Sequence, residues 1–311
     1  FCECFSTQKR GSQRGLKRYF CKNCKRYFSV NHKIKPVLWT AHIDGVPYRK
    51  LASLYGISQA KAYRKVEAEM NQLPTNAYLS ANYCNRWSGI LNIDGKYVKV
   101  KGYDKKIPFI YGIDFPTHDL PVGVLGPSEN RLVFMKVFRL LKTIKYPLRV
   151  VICDDSEALK ITLKQVYPKA KIQLCHNHYF ENLRQHLQVR TDDTYKSFFI
   201  ELKNAMKPKY HYFKRQARLS HVNYKYAKDH KILLPVMIDI IRREDELFTF
   251  KKIKNCPSTN NIIEAYNSHL NGRLKAIKGL ILFTPPSVGS TLGSLDEGLK
   301  TLPTAVFHSN I

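Results

Sequence analysis

The succession of apolar patterns between residues 90 and 175 narrows the fold more than any other feature of the chain. Runs at 90–100, 107–114 and 119–125 alternate or run apolar, with turns at Gly102, Pro116 and Thr117-His118-Asp119 between them. Three strands joined by short turns predict an antiparallel meander. The spacing then switches to a helical period over 131–145, which begins Arg131-Leu132-Val133-Phe134-Met135. A strand over 148–153, a helix over 157–167 and a strand over 171–175 follow, which together make a β-α-β unit. The expected class is α/β, with one mixed sheet that is antiparallel at first and parallel afterwards.

That layout is the one an RNase H-like domain has, and two acids fall where such a sheet would present them. Asp94 ends Gly89-Ile90-Leu91-Asn92-Ile93 and precedes Gly95, and Asp154 follows the buried-strand run Leu148-Arg149-Val150-Val151-Ile152-Cys153. With the first and fourth strands side by side, Asp94 and Asp154 become neighbours. A third acid, Glu264, lies in Ser258-Thr259-Asn260-Asn261-Ile262-Ile263-Glu264, which reads as a capped helix start. Strand-end geometry favours Asp154 over the adjacent Asp155.

The chain as a whole is strongly cationic: 52 Lys and Arg stand against 24 Asp and Glu, a net charge of +28 over 311 residues. The bases are interleaved with 19 Tyr and 16 Phe. This favours nucleic acid over a polybasic membrane tail as the polyanionic partner. Carboxylates gathered in such a chain point to Mg²⁺ or Mn²⁺ for phosphodiester chemistry, because these ions prefer oxygen ligands. No apolar run reaches the roughly 18 residues of a membrane-spanning helix. The start at Phe1 and the position of Cys2 read as a fragment or a trimmed product.

Two small modules are expected ahead of the sheet. Cys2, Cys4, Cys21 and Cys24 read as a structural Zn²⁺ ribbon over 1–32. Cys21-Lys22-Asn23-Cys24 is a well-spaced knuckle, whereas Cys2-Glu3-Cys4 is one residue short. Over 36–72 a helix-turn-helix is expected. Pro47–Tyr55 has helical spacing, Gly56-Ile57-Ser58 supplies the turn, and a second helix from Gln59 to Met70 exposes Lys61, Arg64 and Lys65 to DNA. Leu73-Pro74-Thr75-Asn76 reads as a linker.

In Asn92-Ile93-Asp94-Gly95, Cys153-Asp154-Asp155-Ser156-Glu157-Ala158-Leu159, Cys175-His176-Asn177-His178 and Ser258–Glu264, the chain resembles a DDE transposase of the insertion-sequence and Mutator-like group. The resemblance implies an RNase H-like catalytic domain over 87–279 with a helical insertion at about 180–255. It implies a catalytic, metal-holding triad of Asp94, Asp154 and Glu264, with cutting at element ends followed by strand transfer. It also implies DNA as partner, a homo-oligomer, and a prokaryotic cytoplasm or nucleoid (a nucleus in a eukaryote). Cys175-x-x-His178 matches the group's Cys-x-x-His signature, which is open to a metal-holding or a positioning role. Asn267, Arg273 and Lys275, beyond Glu264, could track the DNA backbone.

The tail at 280–311 is rich in Pro, Ser and Gly and departs from the group's pattern, as a truncated or frameshifted frame would. Two rivals stay open: a DNA-binding protein that no longer cuts, and a hydrolytic nuclease on the same fold.

Overall fold

A computed structural model describes residues 6–13, 16–30, 37–74, 76–84, 86–100 and 103–276. The expectations for Cys2, Cys4 and the 280–311 tail fall outside these residues. Strands β1 (Thr7–Gln13), β2 (Leu16–Cys21) and β3 (Tyr27–Val30) form an antiparallel sheet in chain order. Tyr19 stacks on Phe28, and the Arg18 guanidinium lies 4.3 Å from the Tyr27 ring centre.

Helices α1 (Leu38–Ile43), α2 (Tyr48–Tyr55) and α3 (Gln59–Met70) follow, with Leu38, Leu51, Ala52, Ala62 and Val66 as their shared core. Gly56 closes α2 in the left-handed region at φ 59°, and Ser58 starts α3 by accepting the Lys61 N–H at 3.2 Å. The Glu69 carboxylate reaches back from α3 to accept the Leu38 and Trp39 N–H groups at 2.8 and 3.0 Å. A negative group at the start of α1 suits the helix dipole. Helix α4 (Asn76–Tyr83) leads into the main sheet.

That sheet holds β4 (Ile90–Val98), β5 (Ile107–Asp114), β6 (Val122–Leu125), β7 (Val150–Cys153) and β8 (Lys171–Leu174) in the order β6-β5-β4-β7-β8. β4, β5 and β6 pair antiparallel, and β4, β7 and β8 pair parallel. Helices α5 (Arg131–Thr143) and α6 (Glu157–Val166) make the crossovers. The chain is thus a mixed α/β protein. β4, α6 and β8 end at Val98, Val166 and Leu174, one or two residues short of expectation, and three other boundaries differ for reasons the hydrogen bonds give. The third strand begins at Val122 rather than 119, because Asp119 is tied outside the sheet to Ser80 Oγ and Trp87 Nε1 at 3.0 and 2.8 Å. α5 stops at Thr143, where Lys145 turns left-handed at φ 58° and Tyr146 N–H returns to Leu141 O. β7 starts at Val150, since Leu148 N–H is spent on Tyr146 O.

After β8 come α7 (His176–His186), α8 (Lys196–Ala205), α9 (Tyr212–Val222), a π-turn over Asn223–Ala227, α10 (Leu233–Arg242) and α11 (Glu244–Leu247); α12 (Asn261–Ala276) ends the described residues. Side-chain alternation on β4 divides the packing. Leu91 and Ile93 join the large core with α5, α6 and the helices after β8. On the opposite face Tyr111, Phe109 and Ile113 pack with Ile263 and Leu270 of α12.

Gly89 joins β4 to the approach of β7. It has φ 76°, and a Cβ there would stand 2.2 Å from Pro147 O, a backbone atom that cannot swing aside. Gly89→Ala is expected to destabilise by more than about 1 kcal/mol, lowering the thermal midpoint followed by circular dichroism. An unchanged midpoint would refute the tight junction.

Candidate active site

Asp94 sits on β4 directly across from Tyr111 on β5, on the face that α12 covers. Its Oδ1 accepts the Gly95 N–H at 2.8 Å, and its Oδ2 accepts the Asn267 amide at 2.7 Å. Asn267 Oδ1 in turn accepts the Tyr111 hydroxyl at 2.9 Å. α12 is pinned further by Asn260, which is fully buried and donates to Ile93 O at 3.1 Å. The sequence predicts a side-chain cap at this helix start, but the Asn260 amide is drawn to β4, and its Oδ1 has no hydrogen-bond partner among the described residues.

Asp154 follows β7 and lies close enough to raise the pKa of Asp94. Burial first, then the Asp154 charge, hold the Asp94 carboxyl above the usual carboxylate range, against the opposing pull of Gly95 N–H, Asn267 and His178. Asp154 Oδ1 meets His178 Nδ1 at 2.6 Å. Cys175, 1% exposed, completes a group of three ligand-bearing side chains with Asp154 and His178. The adjacent Asp155 belongs to a different network, bound by Lys160 Nζ at 2.8 Å and by Arg243. His176 is a packed histidine: it is buried among Phe180, Phe248 and Phe250, and its Nε2 meets Leu247 O at 2.7 Å.

One acid at this site carries no sequence pattern that marks it. Glu129 precedes the Asn130 cap of α5, and its Oε1 lies 2.3 Å from where a Cβ on Gly95 would stand. Burial, then Asp94 and more weakly Asp154, push its carboxyl up, while a hydrogen bond from Tyr97 pulls it down. An acid beside a helix cap is so ordinary a feature that only the missing side chain of Gly95 hints at it. The structure therefore gathers Asp94, Asp154 and Glu129, with Cys175 and His178 behind Asp154. Glu264 is exposed on α12, one turn before Asn267 and on the same side, and makes no side-chain hydrogen bond or ion pair among the described residues.

The remaining expected site residues lie elsewhere. Lys61 and Arg64 are exposed on α3, and Lys65 is half-buried there. Asn267, expected along DNA, is engaged by Asp94 and Tyr111. Arg273 and Lys275 are on α12, but their side chains are outside the described residues. Cys21 is buried at the end of β2 and Cys24 lies in the turn before β3.

His178 is pushed up to about 11 by the Asp154 carboxylate against its ring, with Cys175 beside it adding to the effect and burial opposing. Between the ordinary histidine value and about 11 the folded chain holds one proton more than the unfolded chain, so this pair's contribution to stability falls as pH rises. The contribution is complete below about 6.5. In the metal-free protein the His178 ring is expected to stay protonated at pH 8 by NMR titration. A midpoint near the ordinary value would show that the ion pair is absent in solution.

The family model for Mutator-family transposases matches residues 26–282, more than half of the chain. No curated protein matches it. Among solved structures, the Drosophila P element transposase strand transfer complex is similar at 11% identity over 83% of this chain and 82% of that one, with a TM-score of 0.34. A simian T-cell lymphotropic virus intasome in complex with PP2A regulatory subunit B56 gamma is similar at 11% identity and a TM-score of 0.25. That match covers 56% of this chain and 66% of the other, just under two thirds of its length.

Proposed function

This chain belongs to the Mutator family of transposases, and from that premise we propose that it binds the ends of its own DNA element, cuts there, and joins the cut strand to target DNA. The observation that carries the reading is the nearness of Asp94 on β4 to Asp154 just past the end of the parallel neighbour β7, with α12 laid over Asp94. The strand order β6-β5-β4-β7-β8 supports an RNase H-like catalytic domain. The β1–β3 sheet with Cys21 and Cys24 supports the zinc ribbon. The α2-turn-α3 unit, with Lys61 and Arg64 exposed, supports helix-turn-helix contact with DNA phosphates and base edges.

The donor set fits Mg²⁺ or Mn²⁺. Asp94 and Asp154 crowd two like charges together, and Asp94 is held above its usual range, as expected where a divalent cation is to be seated. Asp94, Asp154 and Glu264 would hold the ions. When bound, the ions stabilise the attacking and leaving oxygens of an in-line displacement. The chain's own residues do the rest. Asn267, steadied by Tyr111, fixes the Asp94 carboxylate; His178 fixes Asp154; and the firm seat of α12 sets where Glu264 projects.

The test is incubation of the full chain with DNA carrying the element's ends, in Mg²⁺ or Mn²⁺, beside Glu264→Gln. Metal-dependent cutting and joined products, both lost in the variant, are expected. Nicks without joined products would make the chain a hydrolytic nuclease. Binding without cutting in either protein would leave only DNA recognition.

A further inference from the structure

Cys175 has no part in the chemistry above, yet it converges with Asp154 and His178 on one point. The parallel register Cys153↔Leu174 sets Asp154 and Cys175 side by side where β7 and β8 end. The first turn of α7 then carries His178 back over them, three residues on from Cys175. A carboxylate oxygen, the thiol sulfur and an imidazole nitrogen lie within 4.8 Å of one another. Their burial is graded, with Cys175 at 1% exposure and Asp154 and His178 half-buried at the solvent side. An ion could enter from that side and bind at a closed base. The sulfur accepts the Asn260 N–H at 3.3 Å, a backbone donor of the kind that orients metal ligands.

This donor set differs in kind from Asp94 and Asp154. Mg²⁺ takes oxygen ligands and keeps several waters, whereas a thiolate, an imidazole and a carboxylate together select zinc. Zinc ligands at about 2.0–2.3 Å stand roughly 3.2–3.7 Å apart around a tetrahedral ion. Asp154 and His178, at 2.6 Å, need only a modest rotation to admit one, and a fourth position stays open for water.

We propose that Asp154, Cys175 and His178 form a Zn²⁺ site that overlaps the catalytic one, and that zinc seated there withdraws Asp154 from Asp94 and arrests strand cutting. The binding half of the proposal stands on the three side chains alone; the arrest rests on the transposase reading. The site thereby gives the chain a reversible zinc brake, separate from the amino-terminal ribbon.

Cobalt(II) reports the site independently of activity, because a Co–thiolate bond gives a near-ultraviolet charge-transfer band. Full chain is titrated with Co²⁺ in excess Mg²⁺ beside Cys175→Ser, with His178→Gln as a second variant that keeps the thiol. The wild type is expected to bind one more ion than either variant, and its difference spectrum against Cys175→Ser to show a single-thiolate band. Equal stoichiometry in all three proteins would overturn the site. In the cutting assay micromolar Zn²⁺ is expected to inhibit the wild type, and Cys175→Ser to need at least about tenfold more zinc. Equal zinc sensitivity would overturn the brake. A cobalt difference band in a chain that cuts no DNA under any condition would uphold the site and count against the transposase reading instead.

Discussion

Asp94→Asn is expected to lower metal-dependent cutting at element ends by about a thousandfold or more, while the protein stays folded and binds the same DNA. Seating a catalytic metal is worth several kcal/mol of transition-state stabilisation, and each 1.36 kcal/mol is tenfold in rate. Asparagine keeps the shape of aspartate and still offers an oxygen to the Gly95 N–H, which Asp94 holds at 2.8 Å. Its new amide would then face the Asn267 amide, now donating to Oδ2 at 2.7 Å. A flip of Asn267 resolves the conflict: its oxygen accepts from the new amide, and the Tyr111 hydroxyl changes from donor to acceptor.

Because folding holds the Asp94 carboxyl above its usual range, the buried charge is a cost at neutral pH. The metal-free variant should therefore melt at the same temperature as the wild type or higher, with any gain shrinking as pH falls and Asp94 becomes neutral. Cutting assays, gel shifts and melting curves on the two proteins decide the matter. Activity within tenfold of wild type would remove Asp94 from the site, and a variant that fails to fold would reduce it to a structural acid.

Asp94 and Asp154 are legible in the sequence because each ends an apolar run, and strand periodicity says where such a run delivers its last side chain. The Cys175-x-x-His178 spacing is legible for the same local reason. The acid it meets is not, since that depends on the parallel register of β7 and β8, which only the fold sets. Glu129 is hidden because its carboxylate matters through Gly95, a residue whose contribution is an absent side chain. Asn267 is visible as one helical turn from Glu264, but its partner could not be read: a polar residue on a helix face serves DNA or protein equally well until the helix is docked. The Glu69 cap on α1 spans 30 residues, far outside the local patterns that signal helix starts. Local pattern thus carries the elements and the two acids that follow apolar runs, while the contacts that orient them arise between elements.

Asp114 shows how far a strand-end acid can mislead, and Asp114→Ala is expected to be the most damaging single change to stability in the main sheet. Gly112-Ile113-Asp114-Phe115 has the same form as Asn92-Ile93-Asp94-Gly95, an aliphatic run that ends in an acid. Yet Asp114 has no exposed surface, and its carboxylate is saturated with donors. It accepts from Ser88 N–H and Ser88 Oγ at 3.1 and 3.0 Å, Gly89 N–H at 3.2 Å, Thr117 Oγ1 at 2.8 Å and the Tyr146 hydroxyl. Burial and the Asp114 charge drive the Tyr146 phenol far above its ordinary range, so it remains a donor throughout. These donors come from the entry to β4, the turn after β5 and the approach to β7, so one carboxylate ties together three crossings of the sheet. Alanine would leave them buried and unanswered, at about 1–3 kcal/mol for each that finds no water. At roughly 2–4 °C per kcal/mol for chains somewhat shorter than this one, the melting midpoint should fall by about 10 °C or more. Asp114→Asn keeps the shape but turns one acceptor into a donor, and should fall in between. The contrast with Asp94→Asn is the informative part, since that change is expected to remove activity and spare the fold. If Asp114→Ala instead melts like the wild type and loses only DNA cutting, the assignment of the two acids is reversed.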